Sequence, residues 1–381
     1  MIHGATPPTE TSFASSAKVH TISPQSTLGA KPSTLVVCCH GLSGSHDDYN
    51  RLVITFSEAV AGQTTNTNTT TTTTTTTNNN NNTFLFVLPT TNEGWPINHP
   101  THQGTLPCAT RAYTAVTEVL REHPDATELQ NIIVVGHSFG GIYSRAMIKM
   151  FVEDGTIPDK LKPLGYLSIA SPHLGIRRRP SAFTSIFQFV APIVGGTTGT
   201  ELLLDDEDDV IVNISQGKYL DALRMFRSRT CYGNVYNDLQ VPLCTSTLRD
   251  RNPYRNGTIG DINPVYPSIV TLATRIEQVD AVDTIDKLSP SSDSTAAAAA
   301  AAAAATTSFS SNTLGEKIRL IHSNLVQLGW QRFDCLHTGI DPHNQILGNG
   351  IAGWTLSGKD IRHHIVATLL NIDRMGWSEN K

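Results

Sequence analysis

One stretch restricts this chain more than any other: Gly136-His137-Ser138-Phe139-Gly140-Gly141, directly after the apolar run Asn131–Val135 and directly before the helical run Ile142–Phe151. A GxSxG pentapeptide alone says little in a chain with 28 glycines. Between a strand and a helix it says more, because the flanking glycines let the backbone turn tightly enough to hold a strained serine at the edge of a sheet. The helix that follows points its N-terminus at the place where negative charge would develop. Ser138 is therefore a candidate nucleophile. The alternative is an ordinary glycine-rich turn with a solvent-facing serine.

The surrounding pattern suits such a turn. Thr34–Cys39, Phe84–Leu88, Asn131–Val135 and Leu164–Ile169 are near-continuous apolar runs of strand length, and Cys231–Tyr236 and Gln331–Leu336 are later candidates. Tyr49, Leu52, Val53, Phe56 and Val60 fall on one helical stripe, as do Ala109, Tyr113, Val116 and Leu120. Strands buried on both faces and alternating with amphipathic helices predict an α/β fold, a mostly parallel sheet covered on both sides. Ligands in such sheets sit at the carboxyl ends of the strands.

Residues 1–33 are rich in Ser, Thr and Pro and read as a disordered N-terminal segment, leaving 34–375 as the folded domain. Two low-complexity insertions interrupt it: 64–83, only Thr and Asn, and about 289–312, around ten alanines at 296–305. The segment Asn252–Asp283 carries no motif and reads as an extended cap.

Charge and cysteine usage exclude several classes. With 28 Lys+Arg against 33 Asp+Glu the net charge is -5, which leaves no footprint for nucleic acid. Six cysteines, at 38, 39, 108, 231, 244 and 335, form neither a disulfide framework nor a paired metal motif. The first residues lack a basic head and apolar run, so an intracellular, cytoplasmic location is expected. No window reaches the roughly 18 apolar residues of a membrane span. Phe183–Val194, broken by Pro192, reads first as a buried helix or loop and second as a lid or peripheral membrane contact.

A serine hydroxyl needs a base to attack, and the tetrahedral oxyanion needs preorganised donors. His40-Gly41-Leu42 follows the first core strand, so the Leu42 and Phe139 amides are the expected oxyanion donors, with Gly41 permitting close approach and His40 shaping the loop. The acid should follow the nucleophile on a later strand's loop. Asp238, at the end of the run from Cys231, fits, with an Asx-turn residue as the alternative reading. The acidic cluster Asp205–Asp209 competes in composition only. Candidate bases are His337, His343, His363 and His364. His343 is preferred because it sits on a loop beyond the last strand, whereas His363 and His364 lie on an amphipathic helix and stand as the alternative.

The set VVCCHGLSGSHDDY, VVGHSFGG, SIASPHLG, YGNVYNDLQVPLCTS and WQRFDC followed by PHNQI resembles the DUF676 group of serine esterases, which are lipase-like α/β-hydrolases. The resemblance runs from about Leu35 to Leu370 with the motifs in order. It implies an α/β-hydrolase fold acting on lipid or small carboxylic esters, with Ser138 as nucleophile, Asp238 as acid and His343 as base. Within it, Ser171-Pro172-His173-Leu174-Gly175 reads as a pocket-shaping loop. The expected chemistry is two-step acyl transfer, with no metal and no organic cofactor. The same site could pass the acyl group to an alcohol, and a catalytically silent scaffold that binds protein or lipid is the rival from another class.

Overall fold

A computed structural model of the chain describes residues 9–11, 16–24, 30–62, 82–95, 99–176, 196–254, 261–270, 313–337, 341–349 and 358–375. Among them, nine strands form one sheet: β1 (Thr9–Thr11), β2 (Ala17–Ile22), β3 (Thr34–Cys39), β4 (Phe84–Pro89), β5 (Asn131–His137), β6 (Lys162–Ile169), β7 (Ser228–Asn234), β8 (Ile269–Val270) and β9 (Gln331–Cys335). Their order is β1-β2-β4-β3-β5-β6-β7-β9-β8. The six strands from β4 to β9 in that order pair in parallel, and β1, β2 and β8 are antiparallel additions at the flanks.

Because successive side chains of a strand point to opposite faces, each strand feeds two cores. Leu35, Val37 and Cys39 pack on one side with α2 (Thr105–Glu122), α3 (Gly140–Glu153) and the helix Leu314–Val326. Val36 and Cys38 pack on the other with α1 (Asn50–Gly62) and the last helix, Lys359–Met375. The adjacent Cys38 and Cys39 thus face opposite ways, and all six cysteines are free. The helical stripe Leu52, Val53, Phe56 and Val60 is buried, as is that of Ala109 and Val116. No helix among the described residues is long and apolar enough to cross a membrane.

Three expectations need correction. Residues 1–33 are not wholly disordered: β1 and β2 lie within them, and Ala17–Ile22 runs antiparallel to β4 from Ala17↔Pro89 to Ile22↔Phe84. Ala17, Val19 and Ile22 bury apolar surface against the sheet, which a composition rich in Ser and Thr concealed. The Thr/Asn tract is not an insertion through to its end, since the buried Thr83 accepts the Ser33 amide at 2.9 Å and Asn82 donates to Asp373 at 2.7 Å. Within Asn252–Asp283 the described residues are 252–254, where Tyr254 is buried with its hydroxyl donating to Asp334, and 261–270, which supply β8, an edge strand bonded to β9, and neither forms a cap. Residues 183–194, 289–312 and 271–283 lie outside the described residues.

Candidate active site

The parallel strands deliver four loops to one edge of the sheet. His40, Gly41 and Leu42 follow β3, Ser138 follows β5, Asp238 lies beyond β7, and His343 lies beyond β9. Ser138 sits at the β5–α3 turn with φ 52°, a left-handed conformation that a side-chain-bearing residue adopts only when its surroundings impose it. They do: its amide donates to the Ile169 carbonyl at 2.8 Å, and its carbonyl accepts the Gly141 amide at 3.1 Å. Gly140 is required by close approach, since a β-carbon there would stand 1.9 Å from the Cys39 carbonyl oxygen. The sequence of small residues therefore lets α3 start against the end of β3, with its positive end toward the serine.

His343 lies between the other two polar groups. Its Nε2 is 2.9 Å from Ser138 Oγ and its Nδ1 is 3.0 Å from Asp238 Oδ2. A carboxylate only accepts, so Nδ1–H donates to Asp238, and Nε2 is left to accept the Ser138 hydroxyl. All three side chains are buried. Asp238 is fixed further by Asn234 Nδ2 on Oδ2 at 2.8 Å and by the Gln240 and Val241 amides on Oδ1 at 3.0 and 2.7 Å. Burial alone would push its pKa up, but the neighbouring His343 and these donors outweigh it and hold the carboxyl below its ordinary range.

The Leu42 and Phe139 residues flank this arrangement, and among the described residues their amides donate to no other protein group. Gly41 faces the serine directly. The loop is braced by His40 Nδ1 on the Gly41 carbonyl at 3.0 Å and by Tyr143 Oη on the His40 carbonyl at 3.1 Å. A cleft of about 510 Å³ opens here, lined by Gly41, Leu42, Ser138 and His343 together with polar side chains such as Asp48, Gln240 and Asn344. Leu42 is the one aliphatic residue among the described lining.

Other expected site residues lie elsewhere. His40 and His173 do not line the cleft. His173 is fully buried, with Nε2 2.8 Å from Ser168 Oγ and its ring against Trp330, so it packs into the core beside β6. His364 belongs to the last helix, where Nδ1 meets Tyr232 Oη at 3.0 Å inside an aromatic cluster with Phe333 and Tyr266, and His363 is half-buried on the same helix. His337 is buried just after β9. In the acidic run, Asp206 accepts the Val210 amide at 2.7 Å and Asp209 pairs with Lys317. No group of three or more His, Cys, Asp or Glu that could hold a metal exists among the described residues. Sequence reasoning did not find Asn234, Tyr143 or His137. The first two carry no pattern, whereas His137 is marked by its place beside the serine.

A strained serine at a strand–helix turn, met by an aspartate and a histidine from later strand ends of a mostly parallel sheet, defines the α/β-hydrolase class of fold. A family model described as "Putative serine esterase (DUF676)" matches residues 29–248, more than half of the chain. The chain belongs to that family. The match includes Leu42, Ser138, Phe139 and Asp238 and ends before His343.

Two Saccharomyces cerevisiae proteins, "Putative lipase ROG1" and "Putative lipase YDL109C", are 32% and 31% identical to it over 127 and 128 residues, covering 32% and 31% of this chain. The matched part spans only 18% of each relative. Among solved structures, Thermogutta terrifontis esterase 2 phosphonylated by sarin is similar with a TM-score of 0.46 at 12% identity, over 99% of this chain and 98% of that one. Pyrococcus horikoshii acylaminoacyl peptidase is similar with a TM-score of 0.45 at 10% identity, over 100% of this chain and 44% of that one.

Proposed function

We propose that the chain hydrolyses carboxylic esters by acyl transfer through Ser138. The observation that carries this reading is the bridging of His343, 2.9 Å from the serine oxygen on one side and 3.0 Å from Asp238 on the other. As Ser138 Oγ attacks the ester carbonyl, its proton passes to His343 Nε2, and Asp238 holds the ring and stabilises the imidazolium. The Leu42 and Phe139 amides, with no other acceptor among the described residues, receive the oxyanion. His343 returns the proton to the departing alcohol, then takes one from water as the water attacks the acyl-enzyme, and gives it to Ser138 Oγ as the acyl–serine bond breaks and the acid leaves. A lipid-like ester is the proposed substrate class, supported by family membership and by the names of the two yeast relatives.

The test is a fluorophosphonate probe, with peptide mapping of the adduct, beside a series of esters graded in acyl length. Labelling at Ser138, lost in Ser138→Ala, is expected. A folded protein that neither labels nor hydrolyses any ester of the series would overturn the reading.

A further inference from the structure

We propose that His137, the residue before the nucleophile, is a positioning residue that ties the main chain of the catalytic base to the strand carrying the serine. The proposal rests on the serine-hydrolase reading above and adds to it a residue that lines the cleft and acts through the main chain of the base, taking no part in the proton transfer. Its basis is a hydrogen bond spanning 206 residues of sequence, from His137 Nε2 to the backbone carbonyl of His343 at 3.0 Å. A carbonyl has no proton to give, so Nε2–H must donate, which also fixes the tautomer of His137.

The two ends of that bond differ in rigidity. His137 is the last residue of β5, a strand paired on both sides, with His137 itself opposite Ile169 of β6. His343 belongs to a four-residue helical turn, Pro342–Gln345, outside the sheet. Segment 341–349 is also joined to the rest of the molecule by Asn349 Nδ2 on the Asp48 carbonyl at 2.7 Å. The base must meet Ser138 and Asp238 at once, and a displacement of about 1 Å in such a geometry can cost about 100-fold in rate. The buried bond from His137, made to the base's own carbonyl, limits that displacement.

The chemistry of the tie suits the reaction. The two rings lie 5.1 Å apart, so a cation at position 137 would oppose the imidazolium that forms on His343. Burial first, and then the proximity of His343, lower the pKa of His137 to about 3. It therefore donates a hydrogen bond while staying uncharged.

The experiment compares His137→Phe, which keeps a ring and loses the donor, with His137→Gln, whose amide N–H₂ can reach the same carbonyl. The readouts are kcat and KM on a short-chain p-nitrophenyl ester, the rate constant of fluorophosphonate labelling, and the melting temperature. For His137→Phe, kcat and labelling rate should fall together by about 10–100-fold, with KM changed less than about threefold. His137→Gln should recover most of the loss. Where His137→Phe does not fold, His137→Asn, whose amide is too short to span the gap, takes its place and should be slower than the Gln variant. A folded variant without the donor that keeps wild-type kcat, a loss appearing only in KM, or a Gln variant no faster than the donorless one would overturn the proposal. Wild-type protein that does not label at all would instead remove the serine-hydrolase reading beneath it.

Discussion

A β-carbon on Gly41 would stand 2.9 Å from the β-carbon of Ser138 and 3.4 Å from its hydroxyl oxygen. Gly41→Ala must therefore push apart the loop after β3 and Ser138, the proposed oxyanion loop and nucleophile, while the sheet below is untouched. We expect kcat/KM to fall by about 100-fold or more, with only a modest drop in melting temperature, since removal of a single oxyanion donor costs about 10²–10³ elsewhere. Steady-state kinetics and a thermal melt on the same preparation check this. Gly140→Ala is the contrasting case. Its β-carbon would meet the Cys39 carbonyl, a backbone group that cannot turn aside, and the expected result is loss of soluble folded protein.

The two ends of the His343 imidazole give a second prediction. Ser138→Ala and His343→Ala should each lower kcat by at least about 10³, and the double variant should be no slower than either, because such groups act as a unit. His364→Ala should stay active. It should lose stability instead, by about 0.5–1.5 kcal/mol, because Tyr232 Oη loses one buried partner at 3.0 Å and keeps Thr368 Oγ1 at 2.9 Å. An active His343→Ala beside an inactive His364→Ala would reverse the assignment of the base.

These two histidines also illustrate what a sequence can reveal. β3, β4, β5 and β6 were legible as apolar runs because strands buried on both faces need no alternation, and the serine turn was legible because its glycines are forced by contact. His343 was separable from His364 only by reasoning that a loop beyond a strand end reaches the sheet edge, whereas a helix stripe buries its polar residues. β2 was missed because Ala17, Val19 and Ile22 are few among Ser, Thr and Lys, and its pairing with β4 is a long-range fact. Asn234 and His137 escaped for a related reason. Their partners, Asp238 and the His343 carbonyl, become partners only through the turn after β7 and the packing of a loop 206 residues away.

Stability should depend on pH above the range where carboxylates usually dominate. Burial lowers His40, His337 and His364 to about 4 and His137 to about 3, against 6.5 for an unburied histidine. Between those values the unfolded chain binds protons that the folded chain refuses. Their contribution is thus fully present above about pH 6.5 and is lost as pH falls toward 4. Asp238, held below its ordinary value, adds a further loss under about pH 4. Urea melts at pH 7.5, 6 and 5 should show a steadily falling midpoint. A midpoint unchanged from pH 7.5 to 5 would contradict the burial of neutral histidines.

The Thr/Asn tract and its anchor should behave oppositely. Removing residues 64–81 should alter the melting temperature little, because loop length enters closure entropy logarithmically, at about 0.6 kcal/mol per doubling. Asp373→Ala should cost about 1–3 kcal/mol, since the buried carboxylate accepts Thr34 Oγ1 at 2.5 Å and Asn82 Nδ2 at 2.7 Å. Chemical denaturation of the two variants separates the cases. A deletion more damaging than Asp373→Ala would mean that the tract itself holds the fold.

The short antiparallel strands at the flanks of the sheet have a consequence for how copies of this chain meet. Six apolar parallel strands would form a long template if an outer member were bare, because its unpaired amides and carbonyls would accept a strand from another molecule. Among the described residues β1 offers three residues and β8 two, so the rims they form are short templates. Cleavage ahead of β2 would make β2 the outer strand, and proline at Ile269 and Val270 would bare the end of β9, so either change lengthens the open edge through which copies of the chain could exchange strands.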